Sequence, residues 1–310
     1  MYGKIDIEIK NARTSFKFTL ERNITIIQGN SATGKSTMID MVRSYANEGK
    51  KSGVRLKCNK ECRILEGRDW EMIMDNIHDS VVFIDEGNSF ISSIDFSSKL
   101  KQSDNYYVIA TREPLFGLPY SINSIFEIIT KGKKHSLKKL YDKISINDFE
   151  QAKGYSIITE DSKSGFEFFC EVEKNTTSAK GKSNIIKELK KKKGKNNLVV
   201  ADGAALGSEI DALFQYSSKT KGNVIFMLPE SFEWMILKSG LIQRADIETI
   251  LKNTSEYIHC EKYVSWERYF TDLLIESTKD SEYMKYDKSK LAGYYKKPVN
   301  ISKILDSIKN

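Results

Sequence analysis

Gly29-Asn30-Ser31-Ala32-Thr33-Gly34-Lys35-Ser36 places two glycines five positions apart, the second followed by lysine and serine, between a β-branched run and a segment with helical spacing. That order suits phosphate chemistry. Backbone N–H groups of such a loop wrap phosphate oxygens, and the helix that follows points its N-terminus at them. Lys35 would reach the β and γ oxygens, the Ser36 hydroxyl would ligate magnesium, and Thr37 joins the same first helical turn. The expected ligand is a nucleoside triphosphate with Mg2+, taken here as ATP.

A magnesium-triphosphate site also needs a carboxylate at the end of a neighbouring strand. Val81-Val82-Phe83-Ile84-Asp85-Glu86 supplies one. Asp85 is expected to hold the water shell of the metal, and Glu86 directly after it stands where a general base would take a proton from the attacking water. The pairing of Asp85 with Glu86 suits hydrolysis better than transfer to a bound acceptor.

With the P-loop motif upstream, residues 1–140 resemble the additional-strand P-loop ATPases, which include ABC-type, RecA-type and STAND proteins. In those families a further strand ends in a polar residue that senses the γ-phosphate. Val108-Ile109-Ala110-Thr111-Arg112 looks like that strand, so the resemblance assigns Thr111 to the nucleotide. Arg112 fits two roles: an arginine finger acting in cis on the γ-phosphate, or a surface salt bridge. An ABC ATPase carries histidine at the place of Arg112 and a signature loop before the Asp-Glu pair; residues 38–80 hold no such loop.

In the second half, Ser156-Ile157-Ile158-Thr159 ends in Glu160 and Leu198-Val199-Val200-Ala201 ends in Asp202. Carboxylates at the C-terminal ends of parallel strands converge on the crevice where such sheets bind ligands, which is magnesium-site geometry. The pattern resembles the Toprim domain of topoisomerases, primases and OLD-family nucleases. There a glutamate ends the first strand and D-x-D-x-x-G follows a later one; here that later motif reads Asp202-Gly203-Ala204-Ala205-Leu206-Gly207, with Ala204 in place of its second aspartate. Glu230 and Glu233 are the candidates to replace the missing ligand. The resemblance implies a second, nucleic-acid-directed domain switched or powered by an ATPase, as in mobile-element and phage-defence proteins. A nucleotide-gated regulator with a degenerate, non-nuclease second half is the alternative.

The elements that must position these residues are legible as alternating strands and helices. The expected fold is α/β: a parallel P-loop sheet with helices on both faces over 1–150, then a smaller Toprim-like α/β domain over 151–310 that ends in a helical tail. Trp266, Tyr269 and Phe270 in that tail read as core rather than as a stacking platform.

With 310 residues, 40% of them apolar and 29% charged, and only four prolines, the chain has enough apolar surface for two cores and no disordered composition. The net charge of +7 is a mild basic excess. It concentrates in Lys131–Lys139 and Lys187–Lys195, runs that read first as solvated faces and second as contacts to DNA or RNA. Cys58 and Cys62 have no second pair to complete a zinc site, so free cytoplasmic thiols are expected. Neither a secretion signal nor a membrane span is expected, and assembly into a homo-oligomer is left open.

Overall fold

The computed structural model describes residues 1–29, 33–220 and 222–309, so Asn30, Ser31 and Ala32 of the phosphate loop lie outside the described residues. The chain divides into two compact units: 1–141 with 253–264, and 142–252 with 265–310.

The first unit contains β1 (Ile5–Lys10), β2 (Ser15–Leu20), β3 (Ile24–Gln28), α1 (Lys35–Glu48), β4 (Arg55–Lys57), β5 (Glu61–Ile64), α2 (Trp70–Met74), β6 (Ser80–Ile84), α3 (Ile94–Leu100), β7 (Tyr106–Ala110), β8 (Ile125–Lys131) and β9 (Lys134–Lys139). Its strands form one sheet in the order β4-β1-β2-β9-β8-β3-β7-β6-β5. Strands β8, β3, β7, β6 and β5 run parallel, whereas β1 pairs antiparallel with β2 and β4, and β8 with β9. The sheet is therefore mixed, where a parallel sheet is expected from the sequence. Two-residue turns can join only antiparallel neighbours, and Gly132 at φ 61° makes such a turn between β8 and β9.

The central strands are apolar on both faces because both are covered. On one side Met38, Ile39, Met41 and Val42 of α1 share a core with Val81, Phe83, Tyr106, Val108 and Ala110. The alternate residues face other rings: Tyr107 meets Phe96 of α3 edge-on at 6.4 Å between centroids, and Phe96 in turn meets Trp70 of α2 at 5.8 Å.

The second unit is built around β10 (Ser156–Thr159), α4 (Ser164–Val172), β11 (Thr177–Ser178), α5 (Ile185–Lys191), β12 (Asn197–Val200), α6 (Ile210–Lys219), β13 (Val224–Met227), α7 (Phe232–Lys238), α8 (Ile247–Lys252), α9 (Trp266–Thr278) and α10 (Pro298–Asp306). Its four strands are parallel, in the order β11-β10-β12-β13.

Two boundaries differ from the sequence reading. Residues 142–150 belong to the second unit, because the N–H of Ile146 donates to Phe226 O at 2.7 Å and Phe149 packs on that unit's core. The C-terminal helices are no appended tail: Phe270, Leu273, Leu274, Tyr295 and Ile304 lie in the same buried cluster as Phe168, Leu198 and Met227, which makes the second unit comparable in size to the first. Segment 253–264 instead joins the first unit, where Gly3 N–H donates to Ser255 O at 2.8 Å and Cys260 N–H to Met1 O at 3.0 Å. Among the described residues no helix is long and apolar enough to cross a membrane.

Candidate functional site

Three parallel strands fix the first site. β7 lies between β3 and β6, with Ile27 opposite Ala110 and Ile84 opposite Ile109, so all three end at one level. Directly beyond those ends come Gly29, Asp85-Glu86 and Thr111-Arg112. Gly29 adopts φ 138°, and Gly34, the N-cap of α1, sits in the left-handed region at φ 99°, where a side chain would be strained. That glycine lets the chain turn from β3 into a helix whose first residues are Lys35, Ser36 and Thr37.

Lys35 is only 5% exposed, and its ammonium turns back into the loop, donating to Gly29 O at 2.5 Å and reaching Thr33 Oγ1 at 3.5 Å. Burial lowers its pKa; the carboxylates of Glu86 and Asp85 oppose that shift, while Arg112 adds to it. Ser36 and Thr37 are exposed in the first turn. Asp85 is half-buried and accepts the Glu86 N–H at Oδ1, 2.9 Å, which ties the two acids into one turn. Thr111 is buried, and its hydroxyl donates to Glu113 O and accepts the Glu113 N–H, both at 3.0 Å.

Arg112 grips Glu86 with a two-pronged ion pair, Nε to Oε2 at 3.1 Å and Nη2 to Oε1 at 2.8 Å. Of the two roles its sequence context allows, the salt bridge is the one present here. The oxygen donors Ser36 and Asp85 suit a hard cation such as Mg2+.

The second unit carries its own cavity, of about 170 Å3, at the C-terminal ends of β10 and β12. Glu160 and Asp202 stand there side by side. Asp202 N–H donates to Glu160 Oε2 at 3.2 Å, and Asp202 Oδ1 accepts the Phe232 N–H at 3.1 Å. Asp161, Glu233 and Glu267 complete an acidic wall, faced by Lys288. Glu233, with a side chain 2% exposed, accepts from the Tyr286 hydroxyl at Oε1, 2.7 Å; its Oε2 is buried with no hydrogen-bond partner among the described residues.

Burial together with the Glu267 carboxylate pushes Glu160 up to about 7. Asp202 is raised well above its ordinary range by burial and by Glu267, Glu233 and Glu160, and Asp161 is raised chiefly by burial. Burial works against the Lys288 charge, yet Glu233 and Glu267 hold its ammonium above the usual lysine range. Its Nζ lies 2.8 Å from Glu267 Oε1 and 3.5 Å from Glu233 Oε1.

Among the described residues no three His, Cys, Asp or Glu side chains are arranged to hold a metal ion. Ala204, at the position of the missing aspartate, is 2% exposed and does not line the cavity. Of the two expected replacements, Glu233 faces the cavity; Glu230 is not among its walls. Glu267 and Lys288 are additions that the sequence does not signal. They sit far along the chain from either strand end, in a segment whose legible pattern is apolar spacing. The basic runs are mostly ordered: Lys134–Lys139 is strand β9, with Lys138 paired to Glu127 at 3.0 Å, and Lys191 on α5 pairs with Glu188 at 2.6 Å. No family model matches this chain, and no curated protein matches it.

Proposed function

We propose that the first unit binds and hydrolyses ATP with Mg2+, and that this cycle switches or powers a second, nucleic-acid-directed unit. The observation that carries the reading is the convergence of Lys35, Asp85, Glu86 and Arg112 beyond the ends of β3, β6 and β7, with β7 between the strand before the phosphate loop and the strand before Asp85. An interposed strand is what the additional-strand P-loop resemblance implies. In this reading Lys35 leaves Gly29 O for the β and γ oxygens, and Ser36 and Asp85 hold the magnesium. A magnesium ion held there would supply charge neutralisation for the transferred phosphoryl group. Glu86 accepts the proton of the attacking water once Arg112 has exchanged it for the γ-phosphate.

The resemblance of the second unit to a Toprim domain is supported by Glu160 and Asp202 at neighbouring parallel strand ends, and by Glu233 beside them. Their chemistry, hard carboxylate oxygens of which one has no hydrogen-bond partner among the described residues, suits a divalent cation, although as they stand no three of them are arranged around one point to hold it. A non-nuclease regulator is the second reading, favoured by Lys288 drawing Glu233 and Glu267 to itself.

Phosphate release from ATP with Mg2+, measured with and without DNA or RNA, tests the proposal. Stimulated turnover supports the nucleic-acid-directed reading, and turnover indifferent to both favours the regulator. Lys35→Ala is expected to abolish tight triphosphate binding, because it removes the lysine charge destined for the phosphates. Wild-type affinity by calorimetry in that variant would reject the phosphate-loop assignment.

A further inference from the structure

The cavity of the second unit gathers five carboxylates, Glu160, Asp161, Asp202, Glu233 and Glu267, against the ammonium of Lys288. Buried like charges are costly unless protons or cations compensate them. Lys288 is fixed for that task by its neighbours rather than by chance. Its carbonyl accepts the Ser164 N–H at 3.1 Å, and Tyr286, two residues earlier, is clamped between Ser164 Oγ and Glu233 Oε1, both at 2.7 Å. The strand-end carboxylates and the Lys288 strap therefore meet over the N-terminus of α4, with the ammonium turned inward onto Glu267 and Glu233. One acceptor of this wall stays unused: Glu233 Oε2, buried and without a hydrogen-bond partner among the described residues. Lys288 lies on the side of Glu233 Oε1 and leaves Oε2 empty, whereas a cation with several coordination positions could take both.

We propose that Lys288 is a tethered counter-cation that competes with a divalent metal ion for this cavity, so that the site is closed to metal until the Lys288 strap is displaced. The proposal rests on the divalent-cation reading of Glu160, Asp202 and Glu233 and adds its regulation. Lys288 holds the acidic wall together in the absence of metal, and the same ammonium repels an incoming dication across a short distance in a poorly screened cavity. A divalent ion held by these carboxylates would take the place of the Lys288 ammonium on Glu267 and Glu233. Anything that draws the ammonium outward, such as a phosphate group of a bound nucleic acid, would open the site.

Calorimetric titration of the full chain with Mn2+, free of nucleotide, tests this. Every chain carries Asp85→Asn, so that the metal residue of the first unit does not contribute, and Lys288→Met and Lys288→Arg are compared with the parent. Lys288→Met, which keeps the length of the side chain and removes its charge, is expected to bind Mn2+ about tenfold or more tightly than the parent. Lys288→Arg keeps the charge and should bind like the parent. Equal affinity in the parent and Lys288→Met overturns the competition while leaving the cation site standing. Heat from none of the three chains removes the cation site itself. Should Lys288→Met be unfolded in chelator, recovery of its circular dichroism on adding Mn2+ is the supporting result, and no recovery is the overturning one.

Discussion

In the proposed hydrolysis, Glu86 would take a proton from water only after Arg112 releases it, because a carboxylate gripped at both oxygens is a poor base. A γ-phosphate would be the competing anion that draws Arg112 away, and the availability of the proposed base would then be coupled to the presence of a triphosphate. Two residue-scale outcomes follow from that exchange. Glu86→Gln should bind ATP with near wild-type affinity and lose about 100-fold or more in kcat, since it removes the base and leaves the phosphate contacts in place. Unchanged turnover would remove Glu86 from the mechanism. Arg112→Gln frees Glu86 but deletes the charge destined for the γ-phosphate, so kcat should also fall, by about 1,000-fold if Arg112 acts as a finger, with ADP affinity little altered. An ADP affinity that drops together with kcat would make Arg112 a general phosphate anchor instead.

At the scale of elements, what the sequence declares depends on how completely an element is buried. β3, β6 and β7 are buried at every position, so their β-branched and aromatic runs are plain to read, and the chemistry-bearing residues just beyond them stand out from the sequence alone. β9 is the opposite case. Its Lys134-His135-Ser136-Leu137-Lys138-Lys139 places only His135 and Leu137 inward, the former stacked on Phe16 at 4.4 Å, so a lysine run conceals a strand. β11 has two residues and is defined by pairing with β10 alone. Glu267 and Lys288 escape reading for a different reason: only tertiary packing carries α9 and the Lys288 strap to the ends of β10 and β12.

The same ordering sharpens the nucleic-acid test. Lys138 and Lys191 already hold carboxylates, whereas Lys190, Lys193 and Lys195 of the second run are exposed and open to phosphates. If the second unit binds duplex DNA through that run, replacing these three by glutamine should flatten the log–log salt dependence by about 0.9 per lysine, and Lys138→Gln should leave it unchanged. A slope that stays the same in the triple variant would free the run from any such role.

For the molecule as a whole, the chain visits the first unit, builds most of the second, returns for 253–264, and finishes in the second. Each unit has its own core, its own candidate site and hence its own linkage, so scanning calorimetry of the intact chain should resolve two transitions. ATP with Mg2+ should raise only the one belonging to the first unit. The second should answer to pH. In chelator, the folded second unit keeps a proton on Glu160 up to about 7, against an ordinary value of 4.5, and Asp202 and Asp161 are raised in the same direction. Between those values the folded state binds more protons than the unfolded one, so stability falls as pH rises and is fullest below the ordinary carboxylate range. Burial is the main cause in all three groups, and burial is lost on unfolding. The second transition should therefore drop by roughly a few degrees between pH 4.5 and pH 7, beyond whatever change the first shows. Glu160→Gln, neutral at every pH, should take away part of that drop. A second transition that rises over this window would mean that Glu160, Asp202 and Asp161 are ionised in the folded unit, and that burial does not set their protonation.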